Sequence, residues 1–152
     1  MNQGSLLVDS NVLLRWAQRS DPAYLAVRQA FDLLVRSGTV LYYTSQNLAE
    51  FWNTLTRPSD RNGDGLTPVE ANALAEEVEA EFRLLPDSIL VHQEWRRMLV
   101  DYGLSGAQVH DARLAAAMRV HGVKRILTFN ARDFRRFADV EAVTPQDLIA
   151  SS

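Results

Sequence analysis

The chain has 152 residues, the usual size of one domain, so we expect a single domain over 1–152. With 47% hydrophobic and 23% charged residues, no apolar run long enough to span a bilayer and no cysteine, the composition excludes a disordered chain, a membrane protein, disulfides and a cysteine nucleophile. The net charge of −3 gives no general attraction to nucleic acid, and the first residues lack the pattern of a secretory signal, so we expect a cytoplasmic protein.

The first half of the chain predicts two strands and three helices. Residues 5–8 are apolar and predict a buried strand, and residues 39–43 are rich in β-branched and aromatic side chains and predict a second strand. A helix over 21–38 begins at an Asp-Pro pair and ends at a glycine. A Thr-Ser pair begins the next helix, over 44–57, and a Thr-Pro-Val-Glu capping box begins one over 67–81.

The second half predicts three more strands and three more helices. The strands are expected at 82–85, 125–128 and 140–143, and the helices at 88–102, 105–122 and 131–137. The helix over 105–122 is expected to begin with a capping box formed by Ser105 and Gln108. Five strands separated by helices predict a three-layer α/β domain with a parallel sheet.

Polar residues follow two of the predicted strands. Asp9 and Asn11 follow the first, and Thr128 and Asn130 follow the fourth, with Asp133 one turn later. Because ligands of open α/β sheets bind beyond the carboxyl ends of the strands, these residues are candidates for a site. Each acid also has an ordinary structural role open to it, Asp9 as a helix N-cap and Asp133 as an acid in a first turn.

Two further acids lie on predicted helices. Glu50 lies on the polar stripe of its helix, opposite buried apolar residues, and Asp111 lies near the start of a helix rich in alanine. A solvated face would account for Glu50, and the helix dipole would account for Asp111. Taken together, four acids near element ends indicate a site for Mg²⁺ or Mn²⁺, which prefer oxygen ligands and assist phosphodiester hydrolysis.

Four segments of the sequence resemble the four motifs of PIN-domain nucleases. They are Leu-Val-Asp9-Ser-Asn11, Ser-Gln-Asn-Leu-Ala-Glu50-Phe, Val-His-Asp111-Ala-Arg-Leu-Ala-Ala and Leu-Thr128-Phe-Asn130-Ala-Arg-Asp133-Phe. The resemblance covers about residues 6–148 and is strongest to the VapC-type toxins of bacterial toxin–antitoxin modules. It implies a five-stranded parallel sheet in the order 3-2-1-4-5, an endoribonuclease dependent on Mg²⁺ or Mn²⁺, an antitoxin partner that blocks the site, and a homodimer.

The resemblance also implies a role for each matching residue. Asp9, Glu50, Asp111 and Asp133 would be the catalytic, metal-binding acids, and Asn11, Thr128 and Asn130 would support them. Family members often have aspartate where this chain has Asn130, so the fourth ligand is either Asn130 or Asp133.

Basic residues are concentrated between Arg113 and Arg136, where seven bases accompany one acid. Arg132, Arg135 and Arg136 are therefore candidates to bind an RNA backbone, although a solvated helical face would give the same pattern. Two alternatives to a nuclease stay open. One is a catalytically impaired PIN-like module that binds RNA or an antitoxin. The other is a signalling receiver domain, which the position of Lys124 before its strand disfavours.

Overall fold

The computed structural model describes residues 4–152, and the predicted lack of a secretory signal involves residues 1–3, which lie outside this range. The described residues form five strands: β1 (Ser5–Val8), β2 (Val40–Thr44), β3 (Arg83–Leu85), β4 (Arg125–Leu127) and β5 (Glu141–Val143). Seven α-helices accompany them: α1 (Ser10–Ala17), α2 (Tyr24–Arg36), α3 (Ser45–Thr56), α4 (Pro68–Glu81), α5 (Ile89–Asp101), α6 (Gln108–His121) and α7 (Pro145–Ala150). Short 3₁₀ turns lie at Ser59–Arg61 and Ala131–Phe134.

All neighbouring strands are parallel, in the order β3-β2-β1-β4-β5. This confirms the predicted α/β fold and strand order. The central strand β1 pairs Leu7 with Tyr42 of β2 on one side and with Ile126 of β4 on the other. Leu6 and Val8 pack in one apolar cluster and Leu7 in a second, because successive side chains of a strand point to opposite faces. The sheet is therefore covered on both faces, as parallel sheets require.

The carboxyl ends of β1, β2 and β4 lie at one edge of the sheet. Helix α1 begins directly after β1, with Asp9 as its N-cap, and α3 begins directly after β2. At the start of α3, Thr44 accepts a hydrogen bond from the Asn47 amide while the Asn47 side chain accepts one from the Thr44 amide. The predicted Thr67–Glu70 capping box forms in the same way at α4.

The structure differs from the local predictions in several places. The capping box predicted for Ser105 is wrong: α6 begins at Gln108, after the N-cap Ala107, because Gly106 adopts a left-handed conformation with φ of 60° and interrupts the turn. Gln108 still accepts a hydrogen bond from the Ser105 amide, at 3.3 Å. The helix predicted over 131–137 is a 3₁₀ turn, and helices α1 and α7 were not predicted.

The segment between the second 3₁₀ turn and β5 is tied to α5 and α6. Arg119 of α6 donates to both carboxylate oxygens of Asp139, at 2.7 and 2.8 Å, and to Glu94 of α5 at 3.0 Å. These charge-assisted bonds fix the path of the chain beyond the 3₁₀ turn. Within residues 4–152, no helix is both long and apolar enough to cross a membrane.

Candidate active site

Asp9 is held at the junction of β1 and α1 with both carboxylate oxygens engaged. The residue is 7% exposed. One oxygen, Oδ1, accepts a hydrogen bond from the Ser10 amide at 2.8 Å, and the other, Oδ2, accepts one from the Thr128 hydroxyl at 2.8 Å. The Asp9 amide donates to the carbonyl of Leu127 at 2.9 Å. Asp9 is therefore fixed by its own helix and by the end of β4.

Thr128 and Asn11 join the ends of β1 and β4. The Thr128 hydroxyl, which is fully buried, accepts hydrogen bonds from the Asn11 side-chain amide at 3.3 Å and from the Asn130 backbone amide at 3.0 Å. Asn11 Oδ1 in turn accepts a bond from the Phe129 amide at 3.2 Å. Asn11 and Thr128, which were predicted to support the acids, thus hold both Asp9 and the loop that follows β4. The backbone of Asn130 belongs to this network.

Glu50 and Asp111 approach the site from two helices. Glu50 lies in α3, and Asp111 lies in the first turn of α6. One turn before Glu50, Gln46 donates through Nε2 to the carbonyl of His110, the residue before Asp111, at 2.9 Å. The structure therefore ties the amino-terminal ends of α3 and α6 together beside these two acids. Sequence analysis did not identify Gln46; its only signal is a spacing of four residues from Glu50, which is also common on solvated faces.

The pKa of Asp9 lies above its ordinary value. Burial is the main cause, and the charge of Asp133 adds to it, whereas the hydrogen bonds from Thr128 and Ser10 act in the opposite direction. The hydrogen bonds thus offset only part of the desolvation cost of the Asp9 carboxylate.

The pKa of Glu50 is raised to about 7. Desolvation is the largest cause, followed by the charge of Asp9, and the charge of Asp111 adds a smaller contribution; the Gln46 side chain lowers it. The Glu50 residue is exposed on α3, so its raised pKa reflects local desolvation and the neighbouring acids rather than full burial.

The pKa of Asp111 is raised to about 6. Desolvation again comes first, and the charges of Asp133 and Asp9 follow. The positive charge of Arg136 lowers this pKa, so Arg136 lies within electrostatic reach of Asp111. Asp133 is exposed and acts on both Asp9 and Asp111 through its charge.

The donor chemistry of the four acids fits a hard divalent cation, while their spacing is wider than a formed metal site. Carboxylate oxygens are the ligands that Mg²⁺ and Mn²⁺ prefer, and a cation among Asp9, Glu50 and Asp111 would relieve the repulsion that raises their pKa values. In the range 4–152, however, no three His, Asp or Glu side chains are close enough to hold one ion. Electrostatic influence extends further than a metal–ligand bond, which reconciles the two observations.

Two of the three candidate arginines line a cavity beside Asp133. The cavity has a volume of about 420 Å³ and is bounded by residues 129–133 and by Arg135. Arg132 belongs to that run, whereas Arg136 is not part of the wall. The arginines that sequence analysis grouped together thus face two places, the cavity and the surroundings of Asp111.

The fold and the arrangement of motifs decide the family. A family model of the PIN domain matches residues 6–140. The chain belongs to the PIN domain family. The match covers most of the chain and includes all four segments on which the resemblance was based, so this prediction is confirmed.

Solved structures share the fold of this PIN domain at low sequence identity. A chain of VapBC2 from Rickettsia felis, in a complex bound to a promoter DNA fragment, has a TM-score of 0.68 and 13% identity over 92% of this chain and 98% of that chain. VapC20 from Mycobacterium tuberculosis, a toxin that cleaves the sarcin–ricin loop, has a TM-score of 0.63 and 16% identity over 87% and 95%. FitAcB from Neisseria gonorrhoeae has a TM-score of 0.66 and 22% identity over 93% and 98%. A comparison with curated protein sequences gives no match.

Proposed function

We propose that this PIN domain is a metal-dependent endoribonuclease that hydrolyses phosphodiester bonds of RNA and acts as the toxin of a type II toxin–antitoxin pair. The observation that carries the proposal is electrostatic. Asp9, Glu50 and Asp111, from three different elements, have raised pKa values, and each has the charge of another acid among its causes. Desolvation and mutual repulsion destabilise these carboxylates unless a cation balances their charge. Such pKa shifts are typical of functional sites.

Asp9, Glu50, Asp111 and Asp133 would hold Mg²⁺ or Mn²⁺. When bound, the ion would supply a Lewis acid that activates water and stabilises charge on the phosphate. Asp9 is oriented for this role by the hydrogen bonds from Ser10 and Thr128. Asn11 and Thr128 keep the loop with Asn130 in place. Asp133 would be the fourth acid that binds the ion, and Asn130 would offer an uncharged side-chain oxygen beside it.

Positive charge near these acids supports RNA as the substrate. Arg132, Arg135 and Arg136 lie in and after the 3₁₀ turn that carries Asp133. Their guanidinium groups would bind phosphates on either side of the bond that is cut, since arginine pairs with phosphate oxygens through two parallel hydrogen bonds. The M. tuberculosis neighbour is a toxin that cleaves the sarcin–ricin loop, which agrees with an RNA substrate.

The structural neighbours support the proposed partners. VapBC2 is bound to a fragment of promoter DNA, and a toxin–antitoxin complex from Klebsiella pneumoniae shares the fold with a TM-score of 0.62. We therefore propose a cognate antitoxin that blocks the site, a homodimeric toxin, and action in the cytoplasm, where RNA targets are accessible.

The test combines RNA cleavage with calorimetric titration of Mn²⁺. Wild-type protein should bind Mn²⁺ and cleave RNA, and Asp9→Asn, Asp111→Asn and Asp133→Asn should each lose both properties. Glu77→Gln, an exposed acid of α4, should behave as the wild type. Absence of both Mn²⁺ binding and RNA cleavage in the wild type would refute the proposal.

The second candidate is a catalytically impaired module that binds RNA or an antitoxin. Two observations favour it: Asn130 carries no charge, and among the described residues the acids are not close enough for a shared ion. This candidate predicts RNA binding that EDTA does not change and no cleavage with Mn²⁺. If only Asp133→Asn retains Mn²⁺ binding, three acids form the metal site without it.

A further inference from the structure

The cavity next to Asp133 has features beyond those of a metal site. It is bounded by Phe129, Asn130, Ala131, Arg132, Asp133 and Arg135. Its volume of about 420 Å³ falls within the range of small-molecule sites, roughly 300–1,000 Å³. The lining therefore includes one proposed catalytic residue, Asp133. The other lining residues are an aromatic residue, a small one, an amide and two arginines.

The two cations of the cavity are free to bind an anion. Arg132 and Arg135 are exposed, and among residues 4–152 neither forms an ion pair with a carboxylate. Arg119, by contrast, is bound to Asp139 and Glu94. Two guanidinium groups without a carboxylate partner concentrate positive charge at one cavity, an arrangement that attracts an anion such as a phosphodiester.

The aromatic wall is held in a fixed position. The Phe129 amide donates to Asn11 Oδ1 at 3.2 Å, and the Asn130 amide donates to the Thr128 hydroxyl at 3.0 Å. The same Asn11 and Thr128 side chains contact Asp9. The cavity wall and the proposed catalytic acid therefore share one hydrogen-bond network, so a ligand in the cavity has a defined position relative to Asp9.

The Phe129 ring is partly exposed, and the guanidinium of Arg15 lies 5.9 Å from its centroid. An aromatic ring beside arginines is the combination by which proteins bind single-stranded nucleic acid, the ring contacting a base and the cations contacting the backbone.

We propose that this cavity binds the nucleotide next to the bond that is cut, with Arg132 and Arg135 on its phosphate and Phe129 against its base. The inference rests on the proposed nuclease function and assigns different roles to the three arginines. Arg132 and Arg135 position the neighbouring nucleotide, whereas Arg136 acts near Asp111. The ligand is single-stranded RNA, since a base in a duplex would not be free to enter a cavity.

The test measures binding of a short fluorescein-labelled single-stranded RNA by anisotropy in EDTA, so that cleavage does not interfere. Replacing both Arg132 and Arg135 by alanine should weaken binding about tenfold or more. It should also lower the slope of log Kd against log salt by about 0.7, because the two arginines contact one phosphate and each phosphate contact to a single strand contributes about 0.7. Both side chains are exposed, so this variant should fold normally.

Phe129→Leu tests the base contact. It should weaken binding of the RNA about fivefold or more, since stacking of a base on an aromatic ring contributes at least that factor. It should leave binding of an abasic ribose-phosphate probe unchanged. Equal loss with both probes would overturn the contact between Phe129 and a base.

Arg36→Ala is the matched control. Arg36 is also exposed, and it ends α2 just before β2 begins, at the opposite edge of the sheet. This variant should bind RNA as the wild type does. Unchanged affinity and salt slope in the double variant, an equal loss in Arg36→Ala, or no RNA binding by the wild type would each overturn the cavity assignment. If the double variant loses binding but the wild type cleaves no RNA with Mn²⁺, RNA binding at the cavity stands, whereas its place next to a cut bond fails together with the nuclease proposal.

Discussion

At the scale of single residues, the structural role of Asp9 as a helix cap does not exclude the functional role proposed for it. Sequence analysis left open whether Asp9 is a helix cap or a site residue. In the structure one carboxylate oxygen caps α1 through the Ser10 amide, and the other receives the Thr128 hydroxyl at the edge where the proposed site lies. A carboxylate has two oxygens and about four acceptor positions, so the cap leaves capacity for a cation.

The raised pKa of Glu50 predicts how the metal-free protein responds to pH. Between the ordinary value of 4.5 and about 7, the folded state holds more protons on Glu50 than the unfolded state does, so stability falls as pH rises through this window. Glu50→Gln should remove this loss. The difference in unfolding free energy between the variant and the wild type should be about 1 kcal/mol larger, in favour of the variant, at pH 8 than at pH 5. The value is modest because a partly exposed group is screened by solvent.

The measurement is urea unfolding of both proteins in EDTA at the two pH values. Glu77→Gln, which changes an exposed acid of α4 away from the candidate site, provides the comparison. A constant difference between wild type and Glu50→Gln across this range would contradict the raised pKa.

At the scale of elements, the site depends on how the ends of β1 and β4 are joined. The Thr128 hydroxyl makes one donated and two accepted hydrogen bonds, to Asp9, Asn11 and the Asn130 amide. It is fully buried, so no water replaces it when it is removed. Because Asp9 is the N-cap of α1 and the cavity wall begins at Phe129, this hydroxyl connects two segments that bear proposed functional residues.

Thr128→Val should therefore cost about 2–3 kcal/mol of unfolding free energy, since a change of similar shape leaves buried polar groups without partners. Thr128→Ser keeps the hydroxyl and loses one methyl group, so it should cost about 1 kcal/mol. Urea unfolding at pH 7 compares the two, and RNA cleavage should survive only in the serine variant. Equal stability of the two variants would show that the hydroxyl does not join the strands as described.

At the scale of the whole molecule, the proposal that acids from several elements share one cation predicts that metal binding stabilises the fold. A ligand that binds only the folded state adds about 2.7 kcal/mol at a hundred times its Kd, which for a domain of this size raises Tm by about 5–10 °C. Mn²⁺ should give this rise in the wild type and in Glu77→Gln, but not in Asp111→Asn.

Thermal unfolding with Mn²⁺ or EDTA makes the measurement. Asp111→Asn without metal should be at least as stable as the wild type, because desolvation and the charges of Asp133 and Asp9 penalise this carboxylate. A lost response in that variant would then report metal binding rather than misfolding. A wild-type Tm that does not change when Mn²⁺ is added would contradict a metal site in this domain.

Local sequence patterns predicted many of the strands and helices. The apolar run of β1, the Thr67–Glu70 capping box of α4 and the glycine that ends α6 each act over a few residues, so they are readable from the sequence. They also placed polar residues at the ends of β1 and β4. The strand order, by contrast, came from the resemblance to a family, since no local pattern specifies which strands pair.

Prediction failed where a contact or a backbone conformation overrides a local pattern. Ser105 and Gln108 have the spacing of a capping box, yet the left-handed Gly106 places the start of α6 beyond them. The sequence indicates Asp9 as an N-cap, but α1 ends before Gln18 with no glycine, so its extent is not marked by a local signal.

The sequence by itself determined the five strands, five of the seven α-helices in residues 4–152 and the four candidate acids, because these depend on neighbours along the chain. Only the tertiary structure decided how those ends meet. The Asp9–Thr128 bond joins residues 119 positions apart, and the Gln46–His110 bond joins residues 64 apart. The cavity of Arg132 and Arg135 and the raised pKa values arise from the same folding, since desolvation and charge proximity exist only once distant segments pack together.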